Sequence, residues 1–141
     1  MIELSFSDIS ERLKNFSFPD IDLVVGIATG GVVPASLIAH QLQCPLRILT
    51  INYRDQENTP LYDAPMLMKE LPEIPQQTHI LLVDDVSVTG RTLQLAKSLL
   101  KGNAVTTFTL KGKAELVLFP QIAECVNWPW KAHQISYERS T

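Results

Sequence analysis

Four short segments rich in apolar and β-branched residues constrain this fold more than any other feature: Leu23–Ile27, Leu46–Ile51, Ile80–Val83 and Val105–Leu110. Leu23–Ile27 is an unbroken apolar run and reads as a strand buried on both faces, Ile80–Val83 is strongly apolar, and the other two read as further strands. Helical spacing fills the segments between them. Pro34 sits where a first-turn proline opens a helix, and that helix extends to about Leu42 with Leu37, Ile38 and Leu42 on one stripe. Arg91 to Leu100 carries Leu93, Ala96, Leu99 and Leu100, and Gly102 stops it. Ahead of the first run, Ile9, Leu13 and Phe16 predict a helix over Ser7 to Phe16 with Ser7 as its cap. Leu116–Phe119 and Val126 add short strands. The order strand, helix, strand, connection, strand, helix, strand predicts an α/β fold, a mostly parallel twisted sheet with helices on both faces.

The 141 residues suit a single domain, 1–141. With 45% apolar and 19% charged residues the chain falls outside the range of disordered sequences. A net charge of −3 argues against a general nucleic-acid binder, which needs a basic surface. No apolar run approaches the ~18 residues of a membrane span, and Met1–Ser5 lacks the pattern of a signal peptide, so the expected location is the cytoplasm. Cys44 and Cys125 form neither a disulfide framework nor a metal-ligand spacing. His40, His79 and His133 have no partner spacing and read as packing or surface residues. Between Tyr53 and Thr78 four prolines, Pro60, Pro65, Pro72 and Pro75, stand among charged and amide residues. A connection of that length inside a compact domain reads as a flexible lid over a site.

In sheets of this class ligands bind outside the carboxyl ends of the strands. Two strand ends here carry unusual chemistry: Thr29-Gly30-Gly31, and Asp84-Asp85 followed by Thr89-Gly90-Arg91-Thr92. Carboxylates with open positions suit Mg²⁺, which keeps water and phosphate oxygens in its shell. The Thr89–Thr92 loop opens a helix, where N–H groups, hydroxyls and the positive dipole end cradle phosphate. Taken singly these are ordinary turn and cap residues. Taken as one string they describe a site for a phosphorylated sugar.

The string Ile80-Leu81-Leu82-Val83-Asp84-Asp85-Val86-Ser87-Val88-Thr89-Gly90-Arg91-Thr92-Leu93 resembles the phosphoribosyl-pyrophosphate (PRPP) signature of type I phosphoribosyltransferases. Neither a P-loop nor a G-x-G-x-x-G fingerprint is present. Gly26 to Ala35 resembles the family's pyrophosphate loop, in particular that of xanthine-guanine and hypoxanthine members. Tyr53–Thr78 falls at the family's mobile loop, and Trp128-Pro129-Trp130 at the hood over the base, within a tail of 112–141.

The resemblance implies transfer of the 5-phosphoribosyl group of PRPP to a purine-like base, with Mg²⁺ as cofactor and a homodimer as the assembly. It places Asp84 and Asp85 as catalytic and metal-holding acids on the ribose hydroxyls. It assigns Val86, Ser87, Val88, Thr89, Gly90, Arg91 and Thr92 to the 5-phosphate, and Thr29, Gly30 and Gly31 to pyrophosphate. Lys111, Trp128 and Trp130 would bind the base, with Lys113 as a neighbouring candidate. Two tryptophans with an exposed look also point to a dimer. This chain departs from the family at three places. Val88 replaces an acid that assists proton removal, Thr29 replaces a cation before the glycines, and Cys125 replaces an aromatic that stacks on the purine. These departures keep two other readings open: a PRPP-binding regulatory module without transfer chemistry, and an unrelated phosphate-binding α/β protein.

Overall fold

The computed structural model describes residues 1–52 and 64–131. Strand β1 (Ile2–Glu3) precedes helix α1 (Phe6–Lys14). The cap of α1 is Ser5 rather than Ser7. The Ser5 hydroxyl accepts from the Asp8 N–H at 3.0 Å, and the Asp8 carboxylate accepts from the Ser5 N–H at 2.8 Å. This reciprocal pair satisfies two N–H groups that a Ser7 start would leave open, so the helix begins and ends about two residues earlier than its apolar spacing predicts. The Asp8 carboxyl is held below the usual carboxylate range, first by the backbone hydrogen bond from Ser5.

The β-branched runs form the central strands: β2 (Leu23–Ala28), β3 (Leu46–Asn52), β5 (His79–Ser87) and β6 (Ala104–Gly112). Helix α2 (Val32–Leu42) joins β2 to β3, and α3 (Arg91–Leu99) joins β5 to β6. Two-residue strands β4 (Met66–Leu67) and β7 (Leu116–Val117) complete a six-stranded sheet in the order β4-β3-β2-β5-β6-β7. All its pairs are parallel except β3–β4. Strand β8 (Val126–Asn127) pairs in parallel with β1 to make a separate two-stranded sheet. Part of the predicted lid is therefore structured. Residues 53–63 lie outside the described residues, whereas β4 pairs with β3 and the Arg47 Nε–H donates to the Glu73 carbonyl at 3.2 Å.

Apolar side chains cover both sheet faces, as the unbroken runs require. Ile9 and Leu13 of α1 and Ala35 and Ile38 of α2 pack on Val24, Leu81, Val83 and Phe108. On the opposite face Leu93 and Ala96 of α3 pack on Val25, Ile27, Ile80 and Leu82. Among the described residues, no helix is long and apolar enough to cross a membrane.

Strand β5 differs most from its sequence reading. It runs on through Asp84–Asp85 to Ser87 instead of ending in the acid pair, because β6 continues alongside it. Asp84 pairs with Thr109, Val86 with Lys111 and Ser87 with Gly112. The acid pair thus sits on a rigid strand.

Candidate active site

The chain leaves β2 for β3 on one side and returns to place β5 on the other, so the connections diverge between β2 and β5. The carboxyl ends of two such strands bound the crevice where parallel sheets bind ligands. Thr29-Gly30-Gly31 leaves one of these ends, and Asp84-Asp85 lies at the other.

The two loops touch. A β-carbon on Gly30 would lie 2.5 Å from Asp85 Cγ and 2.6 Å from its Oδ1, so the Gly30 backbone rests on the Asp85 carboxylate. A β-carbon on Gly31 would meet the Val83 carbonyl oxygen at 2.6 Å and that of Ile27 at 2.7 Å. The Gly31 N–H donates to the Ile27 carbonyl at 2.7 Å, folding the loop back on β2. The Ala28–Thr29 peptide is cis.

Asp84 and Asp85 are consecutive on β5, and their side chains stay close enough to interact. Asp85 is buried. Its Oδ1 accepts from the Val86 N–H at 2.7 Å, and its Oδ2 pairs with Lys131 Nζ at 3.2 Å. Asp84, partly buried, accepts from the Asp85 N–H at 2.9 Å. Burial, and then the neighbouring Asp85 charge, push the Asp84 carboxyl well above the usual carboxylate range. Lys131 is a site residue that the sequence reading missed. Its neighbour Trp130 drew attention, but an ion pair spanning from β5 to the tail leaves no local pattern.

The turn from β5 into α3 is narrower than predicted. Val86 and Ser87 belong to the strand ladder, and the Val86 N–H is held by Asp85. Val88 and Thr89 are exposed, and the Thr89 hydroxyl accepts from the Arg91 N–H at 3.3 Å. Gly90 (φ +87°) caps α3, and Gly31 caps α2; neither helix has a side-chain cap, in contrast to α1. Arg91 and Thr92 open the first turn of α3.

The predicted base-binding residues separate into two kinds. Lys111 lies beside Val86 in the ladder and its Nζ donates to the Ala123 carbonyl at 3.4 Å. Trp128 is 2% exposed and part of the core, so the expectation of exposed tryptophans is corrected. It stacks on partly buried Trp130 with ring centroids 5.6 Å apart and planes 2° apart, which covers one face of each indole. Burying these large rings contributes more to folding than leaving them on the surface would. Trp130 Nε1 is buried and has no hydrogen-bond partner among the described residues; the same holds for Thr109 Oγ1, next to Asp84 in the ladder. Cys125 is exposed and Lys113 donates its N–H to the Ser87 carbonyl at 2.9 Å.

The donor chemistry fits a hard cation. Among the described residues no three His, Cys, Asp or Glu side chains converge. Two adjacent carboxylates alone suit an ion that fills its remaining positions with water and phosphate oxygens, as Mg²⁺ does.

The fold and these two strand ends define an α/β protein whose glycine loop and acid pair meet at its topological switch point. The chain belongs to the phosphoribosyl transferase domain family, whose sequence profile matches residues 7–120. It is 38% identical over 78 residues to the bifunctional protein PyrR of Nitrosococcus oceani, covering 52% of this chain and 44% of that one. It is 28% identical over 108 residues to the orotate phosphoribosyltransferase of Sulfurisphaera tokodaii, covering 74% of this chain and 49% of that one. The chain spans about half the length of the curated relatives it matches. In fold it is similar to the xanthine-guanine-hypoxanthine phosphoribosyltransferase of Helicobacter pylori, with a TM-score of 0.72 and 15% identity over 98% of each chain.

Proposed function

We propose that this protein transfers the 5-phosphoribosyl group of PRPP to a nitrogenous, purine-like base and releases pyrophosphate. The observation that carries the reading is the contact between Gly30 and the Asp85 carboxylate, which joins the two halves of the family's sequence pattern at one crevice. In this reaction the bond from ribose C1 to the pyrophosphate oxygen breaks and a bond from C1 to a base nitrogen forms. Positive charge develops on the ribose while negative charge collects on pyrophosphate, so fixed charges and dipoles aimed at both are the main contribution.

Asp84 and Asp85 would hold Mg²⁺ through water and accept hydrogen bonds from the ribose hydroxyls, Asp85 with the lone pairs that the Val86 N–H and Lys131 leave free. When bound, Mg²⁺ offsets charge on the departing pyrophosphate. The turn Val88–Gly90 with Arg91 and Thr92 would hold the 5-phosphate at the start of α3, where the capping residue Gly90 brings no side chain. Thr29, Gly30 and Gly31 would receive pyrophosphate, the glycines letting this loop lie directly against Asp85 and the Val83 carbonyl. Lys111 and Trp130, whose buried indole N–H has no partner among the described residues, would be the donors to the base. A purine is favoured by the Gly26–Ala35 pattern. The reading includes a single cytoplasmic domain acting as a homodimer. Burial of Trp128 removes the tryptophan argument for a dimer; light scattering decides the point, and a monomer rejects it.

The test is pyrophosphate release from PRPP and Mg²⁺ with hypoxanthine, guanine, xanthine and orotate offered separately. Release is expected with a purine, falling about 10²-fold or more in Asp84→Asn. PRPP binding without release with any base would reject transfer and leave a PRPP-binding regulatory module, the reading that Val88 favours because it cannot take a proton.

A further inference from the structure

We propose that Lys131 supplies the cation for the pyrophosphate end of the crevice, held in position by Asp85. The inference rests on the phosphoribosyl reading and deepens it. The glycine loop begins with Thr29 and brings no positive charge of its own. Its Gly30 backbone lies on the Asp85 carboxylate, and Lys131 Nζ pairs with Oδ2 of the same carboxylate at 3.2 Å. The ammonium is thus one carboxylate away from the loop.

Asp85 is built as an anchor for this lysine. Its side chain is 10% exposed, its Oδ1 is occupied by the Val86 N–H, and its Oδ2 faces Lys131. The lysine side chain, in contrast, is 48% exposed. An ammonium offers three donors. One used on Asp85 leaves two for an anion arriving at Gly30–Gly31. Lys131 is fixed on its other side by the tail that carries it: its N–H donates to the Trp128 carbonyl at 3.0 Å, and Trp128 is buried in the core. The 5-phosphate end lies at the opposite boundary of the crevice, on the turn into α3, where Arg91 is the basic side chain of the first turn. Lys131 therefore discriminates between the two ends of PRPP, adding affinity for the pyrophosphate group and little for the 5-phosphate.

Calorimetry of the full chain with Mg²⁺ tests this, using PRPP, inorganic pyrophosphate and ribose 5-phosphate as three separate probes. Lys131→Met keeps the aliphatic length and removes the charge; Lys131→Arg keeps the charge, and thermal melts confirm that both fold. The expected result is a loss of about tenfold for PRPP and pyrophosphate in Lys131→Met, the order of one charge-assisted hydrogen bond. Ribose 5-phosphate affinity should stay within about twofold, and Lys131→Arg should recover most of the loss. Equal losses for all three probes, or no loss for any, overturn the inference while leaving the phosphoribosyl reading in place. If the unaltered protein binds none of them, both fall together.

Discussion

Gly31 and Gly90 stand at the two ends of the crevice and should respond oppositely to the same substitutions. Gly31 has φ −86°, a conformation open to any residue, so only space demands glycine there. A β-carbon would approach the Val83 O at 2.6 Å, the Ile27 O at 2.7 Å and the Ile27 N at 3.0 Å. The closest falls about 0.8 Å short of ordinary contact, steep on a repulsive wall. All three atoms are backbone of central strands β2 and β5, which cannot rotate away as a side chain tip can. Overpacking typically costs about 1–3 kcal/mol, and backbone neighbours place Gly31→Ala at the upper end, near 3 kcal/mol. For a domain of this size that lowers Tm by about 8 °C. At Gly90 nothing lies within 4 Å of the β position, but φ is +87°. Gly90→Ala should cost about 1 kcal/mol through backbone conformation alone, near 3 °C. Asn tolerates the left-handed region, so Gly90→Asn should lose less than Gly90→Ala, whereas Gly31→Asn should lose more than Gly31→Ala. Thermal and urea denaturation of the four variants read this pattern. A Gly31→Ala protein melting within about 2 °C of the parent would refute the argument that β2, β5 and the loop are rigidly apposed.

Asp84 and Thr109 provide two more tests on the same strand pair. Folding raises the Asp84 pKa, so the folded protein holds that proton more tightly than the unfolded chain. Its contribution favours folding at acid pH and is lost as pH rises from the ordinary carboxylate value through the raised one. Asp84→Asn should therefore gain stability relative to the parent as pH rises to neutral, measured by urea denaturation with chelator present; parallel pH profiles would reject the shift. Thr109→Val removes a buried hydroxyl without a partner among the described residues, and should raise stability by about 1 kcal/mol. A lower Tm would mean that the hydroxyl is satisfied.

Local chemistry was legible in the sequence, and contact across the chain was not. The central strands and α3 are nearly where the apolar runs place them, because burial on both faces leaves a run without alternation. The acid pair and the glycine loop were also visible, as strings of unusual residues at strand ends. Strand β5 extends through Ser87 because β6 pairs with it there, and the sequence around Asp84 contains no sign of that partner. Ser5 rather than Ser7 caps α1 because Asp8 returns its hydrogen bond, which apolar spacing does not reveal. Trp128 resembles a surface hood residue by position, and only the packing of α1, α2 and β8 around it makes it core. Lys131 stayed invisible because its role depends on Asp85, far away along the chain.

The pairing of β1 with β8 has a consequence for the order in which the crevice matures. Ile2 meets Val126 and Glu3 meets Asn127, contacts that span almost the entire described chain. Loop-closure entropy makes such contacts late ones, formed after local helices and neighbouring strands. During synthesis β1 emerges well before β8, the strand it pairs with, and Trp128 and Lys131 follow directly behind β8. The ion pair with Asp85 is thus among the last interactions to close. A nascent or partly opened chain holds its two loops apposed before it holds its lysine, and substitutions in β1 act on the crevice through timing as well as through packing.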